Sequence, residues 1–333
     1  MPTIVAAQKS DLEISNLATE MSNMEMASDV LKGLTAKNKY IPSKYFYDAR
    51  GSDLFEQICS LPEYYLTRAE MSLLKQFADI MARGFANSDL VELGSGANWK
   101  IRTLLDAIDI SRRSSIRYVP VDVSETALIS ASKELVRLYP ELAVKPVIAD
   151  FTKGLDRIPS DRTKYVLFFG STIGNLNEEE AHSFLRSVAR ILRSGDKFFL
   201  GLDMVKSTQI MEAAYNDSQN VTAEFNKNIL LVINRGLAAN FDPNDFDHRA
   251  FFNRSELRVE MHLQAKRNVT IFLDTIGISV SIRKNETIRT EICRKFTRKG
   301  VEEMAHRAGL HVSEWYSDSG NLFAIAEITR FQG

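Results

Sequence analysis

Two glycines one residue apart, Gly94 and Gly96, close the apolar run Asp89–Gly96, DLVELGSG. A strand that ends in such a turn can lay bare backbone against a nucleotide-sized ligand, because no side chain intervenes. Twenty-eight positions after Gly94, a second apolar run, Ile116–Val121, ends in Asp122. A carboxylate at a strand tip is placed to hold ribose hydroxyls. The glycine pair alone would serve equally as a plain tight turn; the acid in the right order makes it a nucleoside site. Ala97, Asn98 and Trp99 stand where a dinucleotide loop needs its third glycine, and no Gly-Lys-Ser/Thr phosphate loop occurs. The ligand expected is therefore a nucleoside without phosphates, rather than NAD or a nucleoside triphosphate.

Four other places carry chemistry. Asp150 and Phe151 end a third strand; a carboxylate suits an adenine amino group, and a ring suits the base face. Taken alone, the pair reads as a helix cap and a core Phe. Asn175 lies in Gly170–Leu176, GSTIGNL, just past a buried strand. Its amide can donate and accept, as an amino-acid head group requires, although Asn in a turn often bonds its own backbone. Tyr45, Phe46, Tyr47, Tyr64 and Tyr65 crowd a segment interrupted by Pro42, Gly51 and Pro62. Such a cluster usually means packing, but ring faces also attract a quaternary ammonium. Glu291 sits in RTEICRKF with Cys293 one alternation away on the same face. Between Arg289 and Arg294 it reads first as a solvated strand residue.

The elements that position these residues follow an α/β rhythm. The polar residues 1–27 form a lead-in. Helices are predicted at Ser28–Leu34, at Ser52–Ile58 capped by Ser52, and from a Thr67 cap to Met81. Strands and helices then alternate: Leu90–Leu93, helix Trp99–Ile108, Arg117–Val121, helix Ser124–Leu138 capped by Ser124, Val144–Ala149, Lys164–Phe169, helix Glu178–Leu192 and Lys197–Leu202. That rhythm predicts a parallel sheet with helices on both faces, and open α/β sheets bind ligands at the carboxyl ends of their strands. After Asp203 the pattern turns helical over Val205–Phe225 and continues through Asn228–Leu237. Leu257–Gln264 and Ile276–Ile282 alternate like antiparallel strands with one solvated face. Thr297 caps a last helix closed by Gly309, and Val312–Tyr316 pairs with Leu322–Ile328 across Ser317–Gly320 as a hairpin.

Net charge is −1, so no bulk field draws the chain to nucleic acid or anionic lipid. No run is long and apolar enough for a membrane span or signal core. Two cysteines and five histidines show no metal-ligand spacing and no disulfide framework. A cytoplasmic monomer is the simple reading.

A parallel sheet closed by a helix and a hairpin resembles the Rossmann-like class I methyltransferase sheet, whose final strand is antiparallel. Over residues 28–330 the chain also resembles the L-histidine Nα-methyltransferase family of ergothioneine biosynthesis. The motifs that carry this are FYDARGSDLFEQI, LPEYY, VELGSG with Lys100, Asp122, Asp150-Phe151, GSTIGNL, AAYND, VTAEFN and TEICRKF. The resemblance implies a methyltransferase domain of residues 1–204 and 296–333, with residues 205–295 inserted as an α+β substrate-binding domain. It implies contacts to S-adenosylmethionine from Tyr47, Gly94, Lys100, Asp122, Asp150 and Phe151. Histidine contacts are implied for Tyr64, Asn175, Tyr215, Met261, Glu291 and Cys293, with Tyr47 and Asn175 orienting the reacting amine. Up to three methyl transfers to L-histidine, yielding hercynine, are expected.

The family pattern has Ser where this chain has Cys293. Loss of that hydroxyl hydrogen bond would cost roughly 1 kcal/mol. The departure leaves room for another aromatic amino acid, such as tryptophan, although Glu291 suits an imidazole N–H better. An oxidoreductase is disfavoured by the missing third glycine. A non-catalytic binding module would not need the intact glycine turn and strand-end acids.

Overall fold

The computed structural model describes residues 12, 14–17, 23–158 and 161–331. The polar lead-in expected for residues 1–27 falls mostly outside them. Its described parts are β1 (Ser15–Asn16) and the start of α1 (Asn23–Thr35). Next come α2 (Ala49–Ser60) and α3 (Tyr65–Met81). The alternating segment follows: β2 (Ser88–Leu93), α4 (Trp99–Asp106), α5 (Ile110–Arg113), β3 (Arg117–Asp122), α6 (Glu125–Leu138), β4 (Ala143–Val144), β5 (Val147–Ile148), β6 (Thr163–Phe168), α7 (Glu178–Ile191) and β7 (Lys197–Asp203). The inserted segment holds α8 (Thr208–Ala213), α9 (Val221–Leu237), β8 (Phe246–Asn253), β9 (Arg258–Ala265), β10 (Val269–Leu273), β11 (Ile278–Ile282) and β12 (Thr287–Arg294). Last come α10 (Arg298–Arg307), β13 (Leu310–Ser317) and β14 (Phe323–Arg330).

The main sheet runs β1-β5-β3-β2-β6-β7-β14-β13, with β4 beside β3. All pairings are parallel up to β7; β14 then enters antiparallel between β7 and β13. This is the class I methyltransferase arrangement expected from the terminal hairpin. Successive residues face opposite layers. Val91, Val119, Val166 and Phe198 pack into one core with Leu185 and Val301, whereas Leu90, Tyr118, Tyr165 and Phe199 pack into another with Leu74 and Leu104. Burial on both faces explains the near-continuous apolar strands.

Several expected boundaries shift for identifiable reasons. Helix α2 begins earlier because Asp48, not Ser52, is its cap, accepting the Gly51 N–H at 2.7 Å. Helix α3 starts at Tyr65, before the Thr67 proposed as its cap. Ser124 stands at the cap position of α6 without using its side chain; Asp122 Oδ1 accepts the Ser124 N–H at 2.9 Å instead. Thr297 does cap α10, through Gly300 N–H at 3.1 Å. The continuous helix expected across 205–237 is broken. Asp217 accepts the N–H groups of Val221 and Thr222, both at 2.8 Å, and so starts α9 afresh with Tyr215 in the intervening loop.

Two antiparallel sheets appear in the insertion, β12-β9-β8 and β10-β11. Strands β8, β10 and β12 had no clean alternation to announce them. One packing relation departs from the expected domain division. Val30, Leu34, Ile41, Phe46, Leu54 and Ile58 share a single core with Ile229, Leu263 and Ile288 of the insertion. The amino-terminal helices thus complete the inserted unit's core rather than the sheet's.

Candidate active site

The glycine turn lies where β2 ends. Gly94 and Gly96 have φ of +64° and +48°, the left-handed region that side chains strain to reach. Gly94 N–H donates to Val121 O at 2.8 Å, which ties the turn to the tip of β3. A Cβ built on Gly94 would lie 3.6 Å from the Phe151 ring, so any side chain there would close the slot between turn and ring. Asp122 Oδ2 accepts the Gly96 N–H at 3.3 Å. Burial raises the pKa of this carboxyl, and backbone N–H donors partly offset the rise. Ser95 Oγ, buried in the same turn, finds no partner among the described residues. A glycine slot beside an aromatic ring, a strand-tip acid and an orphaned hydroxyl fit the nucleoside end of S-adenosylmethionine.

The remaining cofactor candidates converge less evenly. Phe151 is braced edge-on against Phe168 and Phe184 at 5.1 and 6.2 Å. Asp150 forms a local turn, its Oδ1 accepting both Thr152 N–H at 2.9 Å and Thr152 Oγ1 at 2.6 Å. Its other oxygen meets Lys153 Nζ at 3.7 Å. Lys100 Nζ pairs with the buried Glu70 at 2.9 Å, and Glu70 Oε1 accepts the Gly170 N–H at 2.6 Å. Lys100 therefore stands at the mouth between β2 and β6.

Below the tip of β6, Asn175 reaches the inserted unit. Its Nδ2 donates to Glu291 Oε1 and to Ile292 O, both at 2.9 Å. Both amide hydrogens are committed, which leaves Oδ1 as an acceptor for an amine N–H. Glu291 lies opposite Met261 on β9, and Cys293 lies opposite Val259. Burial pushes the Glu291 carboxyl up to about 7, against the pull of Lys295 and Asn175. Glu291 is thus no solvated strand residue, the reading that its arginine neighbours first favoured.

Sequence reasoning missed the charge beneath this floor. Lys295 is fully buried; its Nζ lies 2.7 Å from Asp203 Oδ2, 3.0 Å from Tyr215 Oη and 3.2 Å from Cys293 Sγ. Burial opposes the ammonium, yet Asp203 and the Cys293 thiol hold its pKa above the usual lysine range. Asp203 also accepts from Tyr65 Oη at 2.8 Å and pairs with Lys206. Two ammonium groups share one carboxylate, so the floor carries excess positive charge. Lys295 donates to Tyr215 Oη, and the Tyr215 O–H is set toward Cys293 Sγ, a weak acceptor that a stronger one could replace. The Cys293 thiol is pushed up by burial despite Lys295 and stays protonated at neutral pH.

The tyrosine-rich segment divides into two roles. Tyr45 and Tyr65 are structural, bonded to Asp29 at 2.9 Å and to Asp203. Tyr47 and Tyr64 join an aromatic wall. Tyr47 meets Phe55 and Phe225 at 5.8 and 6.0 Å, and Tyr64 meets Tyr215 at 6.3 Å. Tyr47 as a whole residue is 42% exposed. Phe55 and Phe225 were overlooked, although they lie in two of the quoted motifs, FYDARGSDLFEQI and VTAEFN. No group of three or more His, Cys, Asp or Glu among the described residues could hold a metal. No helix among them is long and apolar enough to cross a membrane.

Residues 26–330 match a family described as histidine-specific, SAM-dependent methyltransferases. The chain is 40% identical over 321 residues to the histidine N-alpha-methyltransferase of Mycolicibacterium smegmatis, covering 96% of this chain and 99% of that protein. It is 38% identical over 312 residues to the histidine N-alpha-methyltransferase of Mycobacterium tuberculosis, covering 94% and 97%. It is also 32% identical over 247 residues to ergothioneine biosynthesis protein 1 of Schizosaccharomyces pombe, covering 71% of this chain and 32% of that protein.

Proposed function

The chain belongs to the family of histidine-specific, S-adenosylmethionine-dependent methyltransferases, and from that membership we propose that it methylates the α-amine of L-histidine up to three times. The product is hercynine, and the step belongs to ergothioneine biosynthesis. One observation supports the substrate above the others: a half-buried acid, Glu291, faces the same side as Met261 and bonds Asn175 in the turn after β6. That contact joins the amide that handles the amine to the acid that reads the ring.

In this reading Tyr47, Gly94, Lys100, Asp122, Asp150 and Phe151 hold S-adenosylmethionine, which supplies an electrophilic methyl group on its sulfonium. Tyr64, Asn175, Tyr215, Met261, Glu291 and Cys293 hold histidine. A free α-amino group titrates near ~8, so the reactive neutral amine is a minority species at pH 7. The excess positive charge of Lys295 and Lys206 attracts the substrate carboxylate through Tyr215 O–H and disfavours a second cation nearby, which promotes proton loss to water. Asn175 Oδ1 and Tyr47 aim the lone pair, and positioning supplies most of the acceleration. As methyls accumulate, N–H donors vanish and a fixed cation remains; the Tyr47, Phe55 and Phe225 wall accommodates it through ring faces.

Phenylalanine would leave Glu291 without an N–H partner, and tryptophan would have to bring its N–H there on a larger ring. The proposed division is a sheet unit and an inserted unit, with the amino-terminal helices α1 and α2 assigned to the latter because they share its core. Two free cysteines, one of them buried, suit a reducing cytoplasm. A monomer is proposed, with one chain furnishing every group named. The test is incubation with S-adenosylmethionine and each amino acid separately, followed by mass spectrometry. One, two and three added methyls on histidine are expected; no methylated histidine would overturn the reading.

A further inference from the structure

Strand β12 does not alternate as its sequence implies. Ile288 and Cys293 are five residues apart, an odd spacing that puts them on opposite faces of a regular strand. Both nevertheless lie in the same core. The register shows why: Ile288 pairs with Leu263, Arg289 with His262 and Glu291 with Met261, so Thr290 is an extra residue. This bulge turns Glu291 from the Arg289 face to the Ile288 face, which is the pocket face. Bulges beside active sites commonly re-aim a side chain in this way.

The bulge is held by a hydrogen-bond chain buried behind the pocket. Thr290 is 1% exposed and Asn226, from α9, is fully buried. Thr290 Oγ1 donates to Asn226 Oδ1 at 2.6 Å, with Met261 O at 3.2 Å. Asn226 Nδ2 donates to His262 O at 3.0 Å and to His248 Nδ1 at 2.8 Å. With Nδ1 accepting, the neutral ring carries its proton on Nε2, which donates to Tyr215 O at 2.8 Å. Burial lowers the His248 pKa and favours that neutral form. On its outer edge β12 is stapled at Arg289, whose N–H donates to Lys39 O and whose carbonyl accepts Ile41 N–H, both at 2.9 Å. The bulge is therefore clamped from both sides.

We infer that Thr290, Asn226 and His248 are positioning residues for amino-acid recognition. They hold Glu291, which reads the ring, at a fixed distance from Tyr215, which receives the head group. The inference rests on the histidine reading above and adds the origin of its selectivity. None of the three residues touches substrate. They act by fixing the span between the two ends of the pocket, and a span set for imidazole excludes a longer ring. Asn226 is the last residue of VTAEFN, which gives that motif a role beyond its aromatic.

The test compares wild type, Thr290→Val and Thr290→Ser. Valine keeps the shape but removes the donor and strands Asn226 Oδ1. Expected is a histidine Kd about tenfold weaker in Thr290→Val, with the S-adenosylmethionine Kd unchanged, kcat affected less than KM, and the preference for histidine over tryptophan reduced. Thr290→Ser restores the histidine affinity, the KM and the preference for histidine. His248→Phe keeps a ring but cuts the chain at Tyr215, and should reproduce the loss of preference if Thr290→Val fails to fold. Unchanged histidine affinity, equal loss of cofactor affinity, or no recovery with serine would overturn the inference. A wild type that leaves histidine unmethylated would sink the functional reading as well. An active wild type with an indifferent Thr290→Val sinks the inference alone.

Discussion

Replacing Glu291 by glutamine should weaken histidine binding at high pH and leave it unchanged at low pH. The carboxyl is held near 7 by burial, so it is ionised at pH 8 and mostly protonated at pH 6. Glutamine keeps the length and an oxygen for Asn175, whose 2.9 Å bond to Oε1 survives. What it loses is charge. A hydrogen bond to a charged acceptor contributes about 1.5–3 kcal/mol, against about 0.5–1.5 for a neutral one, so the difference is roughly tenfold in Kd. At pH 6 the wild-type acid is itself neutral, and the ratio of the two Kd values should approach one. Titration of the substrate's own groups cancels in that ratio. Stability runs the other way. A carboxyl whose folded pKa exceeds its unfolded value destabilises the fold once pH passes the folded value, and the penalty vanishes below the unfolded one. Holding Glu291 near 7 rather than 4.5 would cost about 3 kcal/mol at pH 8, and screening by the cleft trims this to about 1–2 kcal/mol. Glu291→Gln should therefore melt a few degrees higher at pH 8. Calorimetric titration with histidine from pH 6 to 8, with thermal melts alongside, reads both arms. A Kd ratio that does not vary with pH, or a lower melting temperature at pH 8, would refute the reasoning.

Cys293→Ser should tighten histidine binding several-fold, about 1 kcal/mol, because a hydroxyl beside Lys295 Nζ donates better than the thiol at 3.2 Å; weaker binding would count against a substrate contact here. Gly94→Val places a branched side chain at φ +64° against the Phe151 ring, adding strain of about 1–2 kcal/mol. Cofactor titration should show at least a tenfold weaker Kd, and an unchanged one would remove the glycine slot from the cofactor site. Lys295→Met strips Asp203 of its 2.7 Å partner but leaves Lys206 and Tyr65, so the loss of stability should lie near the low end of about 3–5 kcal/mol by denaturant melts. The same change removes the cation that lowers the Glu291 pKa, so the pH at which glutamine and wild type diverge should rise; a fall would contradict the assigned electrostatics.

The sheet was legible because its physics is local in sequence. Each strand of the α/β segment is a short apolar run bounded by turns, and both faces are covered by helices with apolar stripes. Asp122 was legible for the same reason, since it follows the last apolar residue of a strand, where ligands meet such sheets; Asn175 lies farther on, at the end of the short turn that follows β6. The break at Asp217 was not, because a carboxylate capping two later N–H groups has no pattern until the chain turns. Lys295 and Asp203 were missed because ninety-two positions separate them and neither looks unusual in its own segment. Their pairing exists only once β7 and β12 converge.

The sequence by itself determined the cofactor half of this protein. A glycine turn, two strand-end acids and the βα rhythm require only neighbours a few residues apart, and backbone sterics and period-two alternation do the rest. Tertiary structure decided the substrate half. Alternation alone assigns Glu291 to the same face as Arg289. The bulge at Thr290 puts it on the opposite one, and that bulge exists because Asn226 of α9 and the Lys39–Ile41 segment grip the strand from either side. A one-residue slip moves every later side chain to the other face. The face on which Glu291 stands was therefore settled by long-range hydrogen bonds that no local pattern records.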